Sequence, residues 1–233
     1  MHIVFGHLRI AGLLWRAAAL WYLCMSMVHG GCLVEPDGKG HVFINDAVIN
    51  TNAFRECSSL KTVSIGSGVE SIGDSAFYKA TSLETVHFAE GSALKSIGKQ
   101  AFVLCTALRS IDIPDSVTDL GSRSFFNCIS LQALSLSSSL SRVDEYAFYN
   151  CSSLENLTIP ASVTNVGAAA FMYCTSLRRL SIHASDITFA LSSGYPAAFW
   201  YLSGLKELYL NMRQVEGSLF MFNYFPHSRA VPE

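Results

Sequence analysis

Ile113-Pro114-Asp115-Ser116-Val117-Thr118-Asp119-Leu120-Gly121, followed by Ser124-Phe125 and Cys128-Ile129-Ser130-Leu131, is a unit that the chain repeats. A second clear copy runs from Ile159-Pro160-Ala161-Ser162-Val163-Thr164-Asn165-Val166-Gly167 through Ala170-Phe171 to Cys174-Thr175-Ser176-Leu177. Working outward, phenylalanine recurs at Phe54, Phe77, Phe102, Phe125, Phe148, Phe171 and Phe199, a period of about 23 residues. Leucine follows in register at Leu60, Leu83, Leu108, Leu131, Leu154, Leu177 and Leu205. Between the two stands Cys57, Cys105, Cys128, Cys151 or Cys174, with Ala80 and Leu202 in the remaining copies. Two residue types that keep one register through the chain define a repeat architecture.

Each unit has a physical reading. After the leucine comes a short apolar-polar-apolar stretch, such as Val63-Ser64-Ile65, Ile111-Asp112-Ile113 or Leu180-Ser181-Ile182. That alternation predicts a half-buried strand. Pro114 and Pro160 end it in two copies. A second apolar pair follows, as in Val69/Ile72 and Val117/Leu120, and then Gly73, Gly98, Gly121 and Gly167, with Asn50 and Asp144 in the same place in other copies. Gly, Asn and Asp tolerate positive φ best, so a left-handed backbone is expected there. No unit buries its apolar residues alone. Stacked units do, at about 4.8 Å per coil, which makes a rod of roughly 30 Å.

The pattern resembles the BspA-like leucine-rich repeats, a class found in surface proteins of bacteria and protists. The resemblance rests on the two stretches quoted above and covers about Val42 to Leu210. It implies an α/β-type solenoid: a short leucine-rich repeat stack of about seven coils with a parallel strand face. It further implies an adhesin-like or protein-binding surface, since none of the family's motifs is catalytic. The chain departs from long members in having few repeats, and it lacks a clear C-terminal membrane anchor.

Composition agrees. The 233 residues carry a net charge of −2, with 50% hydrophobic and 15% charged residues. This is too apolar for disorder, and too near neutrality for the basic footprint of a nucleic-acid binder, so no nucleic-acid partner is expected. Residues 1–30 read as a signal peptide: Arg9 and Arg16, the uncharged run Ala17–Val28, then Gly30 and Gly31. Cleavage after Gly30 fits, with Ser26 as an alternative. An uncleaved anchor would need roughly 20 apolar residues, which Arg16 interrupts. The expected organisation is therefore 1–30 leader, 31–41 linker or cap, 42–210 repeat domain, and 211–233 cap or tail. No integral membrane domain is expected after leader removal. Insertions around Glu90-Gly91 and within Ala184 to Pro196 are expected to emerge as loops, and Leu219 to Phe225 to cap the last coil.

The cysteine column accepts Ala80 and Leu202, which describes a small buried hydrophobe. The column positions are therefore expected to be free buried thiols, and Cys32, outside the column, to be exposed or paired. No Cys-x-x-Cys pair, Gly-x-Ser-x-Gly elbow, phosphate loop or His-Glu-x-x-His occurs, so no metal, cofactor or catalytic residue is expected. The candidate binding residues are the outward strand positions Ser64, His87, Asp112, Ser135, Thr158, Ser181 and Tyr209, with Arg179 and Glu207 in the adjoining column. Tyr and Arg anchor interfaces, which places the main contact toward the C-terminal coils. Asn150 (Asn-Cys-Ser) and Asn156 (Asn-Leu-Thr) are glycosylation sequons. The expected function is recognition of a protein or glycan, secreted or at the cell surface. An intracellular scaffold or adaptor is the alternative.

Overall fold

The computed structural model describes residues 31–189 and 198–210, together with a strand at 229–231. The expected leader, residues 190–197 of the second insertion and the Leu219–Phe225 stretch lie outside the described residues.

Longer and shorter strands alternate along the chain. β1 (His41–Ile44) and β2 (Val48–Ile49) are followed by β3 (Thr62–Ile65) and β4 (Ser71–Ile72), β5 (Thr85–Phe88) and β6 (Ser96–Ile97), and β7 (Ser110–Asp112) and β8 (Asp119–Leu120). Then come β9 (Ala133–Ser135) and β10 (Arg142–Val143), β11 (Asn156–Ile159) and β12 (Asn165–Val166), β13 (Arg179–Ile182) and β14 (Thr188–Phe189), and finally β15 (Glu207–Leu210) and β16 (Arg229–Val231). One face carries the parallel sheets β1-β3-β5-β7-β9 and β11-β13-β15-β16. The other carries β2-β4-β6-β8 and β10-β12-β14. The fold is a parallel-strand β-solenoid.

Its core is the repeat made solid. The seven phenylalanines form one internal file from Phe54 to Phe199, and Phe77 through Phe171 are wholly buried. Successive rings stack at 5.2, 4.9, 4.9, 5.2, 5.2 and 5.3 Å between centroids, with planes within 10° of parallel. The in-register leucines and the inward residues of both strand faces complete the same cluster.

The helical part of the expected α/β solenoid is corrected: no helix occurs among the described residues. The third side of each coil is a double turn around the phenylalanine. Residues two before it (Asn52, Ser75, Gln100, Arg123, Tyr146, Ala169) and two after it (Glu56, Lys79, Leu104, Asn127, Asn150, Tyr173, Tyr201) have φ between 53° and 64°. A left-handed residue on each side stops an α-helix from propagating. Instead, alternate N–H groups point along the rod. Asn52, Phe54 and Glu56 donate to Asp74, Ala76 and Tyr78 at 3.0, 2.6 and 2.6 Å. The same three bonds link the next coils as far as Asn150 to Met172.

The left-handed position is likewise corrected. Gly73, Gly98, Gly121, Gly167, Asn50 and Asp144 do not have positive φ; it falls two residues later. Glycine serves close approach instead. A Cβ on Gly121 would lie 2.7 Å from the Lys99 nitrogen, and one on Gly167 would lie 2.4 Å from the Glu145 nitrogen. This contact lets Gly73, Gly98, Gly121 and Gly167 donate to Ile49, Ile72, Ile97 and Val143 of the preceding coil. Asp144 makes no such bond, and β8 and β10 are not paired. The next long-strand pair, β9 and β11, is also unpaired, so both sheets part beside the coil that carries Asp144. The turn ladder crosses this place unbroken, through Arg123, Phe125 and Asn127 to Glu145, Ala147 and Tyr149.

The cysteines divide. Cys105, Cys128, Cys151 and Cys174 are free and buried, as expected. Each thiol donates to the phenylalanine carbonyl of the preceding coil, that of Phe77, Phe102, Phe125 or Phe148, at 3.1 to 3.4 Å. Cys57 is the correction within the column: it forms a disulfide with Cys32, with Cα atoms 4.9 Å apart. Cys57 belongs to the first phenylalanine coil, where among the described residues no phenylalanine of the file comes before it.

Candidate binding face

The strand registers set the candidate residues in rows. Phe43 lies beside Ser64 and Ser64 beside His87; Asp112 lies beside Ser135; Thr158 lies beside Ser181 and Ser181 beside Tyr209. In the adjoining row Asn156 pairs with Arg179 and Arg179 with Glu207. The break between β9 and β11 divides the face into an N-terminal and a C-terminal portion. His87, Asp112, Ser135, Thr158 and Arg179 are exposed, whereas Ser64, Ser181, Glu207 and Tyr209 are half-buried.

Several of these groups already have partners. Ser64 Oγ lies 2.9 Å from His41 Nε2. Arg179 Nε donates to Glu207 Oε2 at 2.6 Å, and the Tyr209 hydroxyl donates to the same oxygen at 3.4 Å. That hydrogen bond and the attraction behind it hold the Glu207 carboxyl below, and the Arg179 guanidinium above, their ordinary values. Arg179, Glu207 and Tyr209 thus form one charge-balanced cluster, which offers a ligand contact area and hydrogen bonds rather than net charge.

Of the two sequons, Asn156 is exposed on β11. Asn150 is half-buried, and its Nδ2 donates to Asn127 Oδ1 at 2.9 Å.

Two features escaped the sequence. Phe43, 65% exposed, heads the outward row. It was missed because β1 precedes the first Phe-Leu copy. The second is a ridge along the double turns of the C-terminal coils. Phe126 stacks on Tyr149 at 4.6 Å, Tyr149 meets Tyr173 edge-on at 5.4 Å, and Tyr173 stacks on Tyr201 at 4.9 Å. Tyr201 is 48% exposed. The ridge changes repeat position along its length: Phe126 and Tyr149 directly follow their phenylalanines, whereas Tyr173 and Tyr201 stand two residues after theirs, and that shift hid it from the periodicity. Near the parting of the short sheets lies an open cleft of about 310 Å³, lined by Asp74, Lys99, Asp119, Arg142 and Asp144 among others. Arg142 and Asp144 form an ion pair within it. Among the described residues no group of three or more His, Cys, Asp or Glu side chains is placed to hold a metal ion, and no helix is long and apolar enough to cross a membrane.

Parallel strands on two faces, a phenylalanine-centred turn on the third and an in-register leucine column define a leucine-rich repeat protein. The chain belongs to the BspA type leucine rich repeat family, whose model matches in six copies over residues 47–178 and 91–206. No curated protein matches it. Among solved structures it is similar to a leucine rich cell surface protein from Faecalibacterium prausnitzii, with 25% identity and a TM-score of 0.47 over 67% of this chain and 52% of that one. It is also similar to a Treponema pallidum leucine rich repeat protein, with 24% identity and a TM-score of 0.47 over 63% and 81% of the two chains. A third is the pneumococcal vaccine antigen PcpA, with 18% identity and a TM-score of 0.40 over 85% and 77%. The chain thus spans about half the length of the first of these.

Proposed function

We propose that the chain is a non-catalytic recognition module, secreted or held at the cell surface, that binds a protein or a glycan through its longer strand face. The observation that carries this reading is the row of outward side chains fixed in parallel register on the two adjoining sheets of that face. Such a surface loses little ordering entropy on binding. The contact centres on the C-terminal portion, where Tyr209 supplies aromatic area beside the Arg179–Glu207 pair. The Cys32–Cys57 disulfide supports an oxidising compartment, as does the basic, apolar, small-residue order of residues 1–30. The aromatic ridge favours a second reading, in which Phe126, Tyr149, Tyr173 and Tyr201 carry the contact. Their rings are held by stacked and edge-on contacts, and Tyr201 is exposed.

Screening the purified protein against a glycan array and a panel of extracellular proteins tests both readings. A ligand weakened at least about tenfold by Thr158→Arg and Tyr209→Ala, and unaffected by Tyr201→Ala, supports the strand face. One weakened only by Tyr201→Ala and Phe126→Ala moves the contact to the ridge, and indifference to all four variants contradicts both. Expression of the tagged full chain tests location. Leader loss with recovery in the medium or on the surface supports the extracellular reading, and full-length cytosolic protein supports a scaffold instead.

A further inference from the structure

We infer that the Cys32–Cys57 disulfide is a redox-operated latch on an N-terminal cap of the solenoid. Each interior phenylalanine lies between two others, but Phe54 stacks on Phe77 alone. Phe54 is nonetheless 2% exposed. The segment from Cys32 to Gly40 lies over that end of the stack. The Leu33 amide donates to Ala53 O at 2.7 Å, taking the part that Phe54 N plays toward Ala76 O in the next coil. Leu33 packs against the core cluster. Asp37 accepts the Lys39 and His41 amides at 2.8 and 2.9 Å, which turns the segment into β1.

The base of the segment is fixed, with Gly40 O accepting the Lys61 and Thr62 amides at 2.7 and 3.1 Å, but the non-covalent hold on its far end is slight. Among the described residues the Leu33 bond is the one turn-ladder hydrogen bond between cap and first coil, where interior coils share three. The covalent bond supplies the rest, closing a loop with a sequence separation of 25. Elsewhere in the column the cysteine donates to a phenylalanine carbonyl of the coil before it; Cys57 bonds to Cys32 instead. An external dithiol reverses this. It transfers two electrons and two protons to the sulfur–sulfur bond, leaving two thiols on the protein and a disulfide on the reductant. Beyond its base at Gly40, the cap then rests on the Leu33 bond, the contact of Cys32 Sγ with Ser59 Oγ at 3.4 Å and the partial burial of Leu33. Its release uncovers the Phe54 ring and the Ala53 carbonyl. The cap is therefore closed in an oxidising setting and open in a reducing one, whatever the strand face binds.

Hydrogen exchange read by mass spectrometry on the full chain, oxidised and after complete reduction by dithiothreitol, tests this. Intact mass confirms the gain of two hydrogens. Exchange within 31–40 is expected to accelerate by about a hundredfold, the order a closed loop of this length contributes, while Phe102 to Phe148 stays unchanged. Binding of an apolar dye should rise in parallel, and Cys32→Ser should reproduce both effects without reductant. Unchanged exchange in 31–40 after complete reduction would overturn the latch. Equal acceleration along every coil would overturn it too, because the bond would then be a staple of the whole fold.

Discussion

Residues in this solenoid are judged by what the neighbouring coil offers them. Ser124 occupies the position that Ala76, Ala101 and Ala147 hold in other coils, and its buried hydroxyl finds no hydrogen-bond partner. Ser124→Ala should therefore stabilise the fold by about 1–2 kcal/mol, read as a higher urea midpoint; a lower midpoint would mean that the hydroxyl is satisfied. The four free cysteines titrate against the same apolar surroundings. Burial pushes Cys128 and Cys174 up to about 12, and raises Cys105 and Cys151 well above the ordinary thiol value. In the unfolded chain these thiols ionise near 8.5 by contrast, at about the ordinary value. Between those limits the unfolded state sheds protons that the native state keeps. Their contribution to stability is complete below about pH 8.5 and is lost as pH rises toward 12. The urea midpoint should fall from pH 8 to pH 10.5, and less steeply in a Cys128→Ala/Cys174→Ala variant; equal slopes would show that the thiols are not protected. The column was legible in the sequence because Cys, Ala and Leu share one slot. The bond from Cys57 was not, because a column argument carries no information about the end of the stack.

At the scale of the element, the glycine row decides where strands pair. The sequence placed glycine correctly in the repeat but attached the wrong reason to it. Positive φ sits on Ser75, Gln100 and Arg123, residue types with no preference for it, because their amides gain a partner in the next coil. That trade cannot be seen in one unit alone. The missing side chain instead admits the backbone of the preceding coil. Gly167→Ala should cost about 1–3 kcal/mol by overpacking against Glu145, read by thermal unfolding; a neutral result would mean that the coil shifts freely. The converse change, Asp144→Gly, is expected to let β10 join β8, slowing exchange of the amides at 141–144. Unchanged exchange there would mean that something other than the Asp144 side chain holds the sheets apart. The strands themselves were readable from their apolar alternation. The parting at Asp144 was not, since Asp and Asn were treated as substitutes for glycine on grounds of φ.

Across the described residues, the longest uninterrupted hydrogen-bond system is the turn ladder around the phenylalanines, not either strand face. The seven-fold phenylalanine period foretold the file of rings, and the resemblance foretold the family. The helical side expected with it gave way to paired turns, because each phenylalanine from Phe54 to Phe171 is bracketed by left-handed residues. The candidate strand face was legible as a list of outward residues. Its division between β9 and β11, the self-neutralised Arg179–Glu207 pair and the aromatic ridge emerged only when neighbouring coils were set side by side. The inward phenylalanines, sheltered only by coils above and below, hold the solenoid together. Equilibrium urea unfolding of Phe125→Ala beside Phe43→Ala separates a buried ring from a surface one, since the first is 0% and the second 65% exposed. Phe125→Ala is predicted to lose about 3–5 kcal/mol, and Phe43→Ala less than about 0.5 kcal/mol. Equal losses, or a larger one at Phe43, would contradict the stacked core.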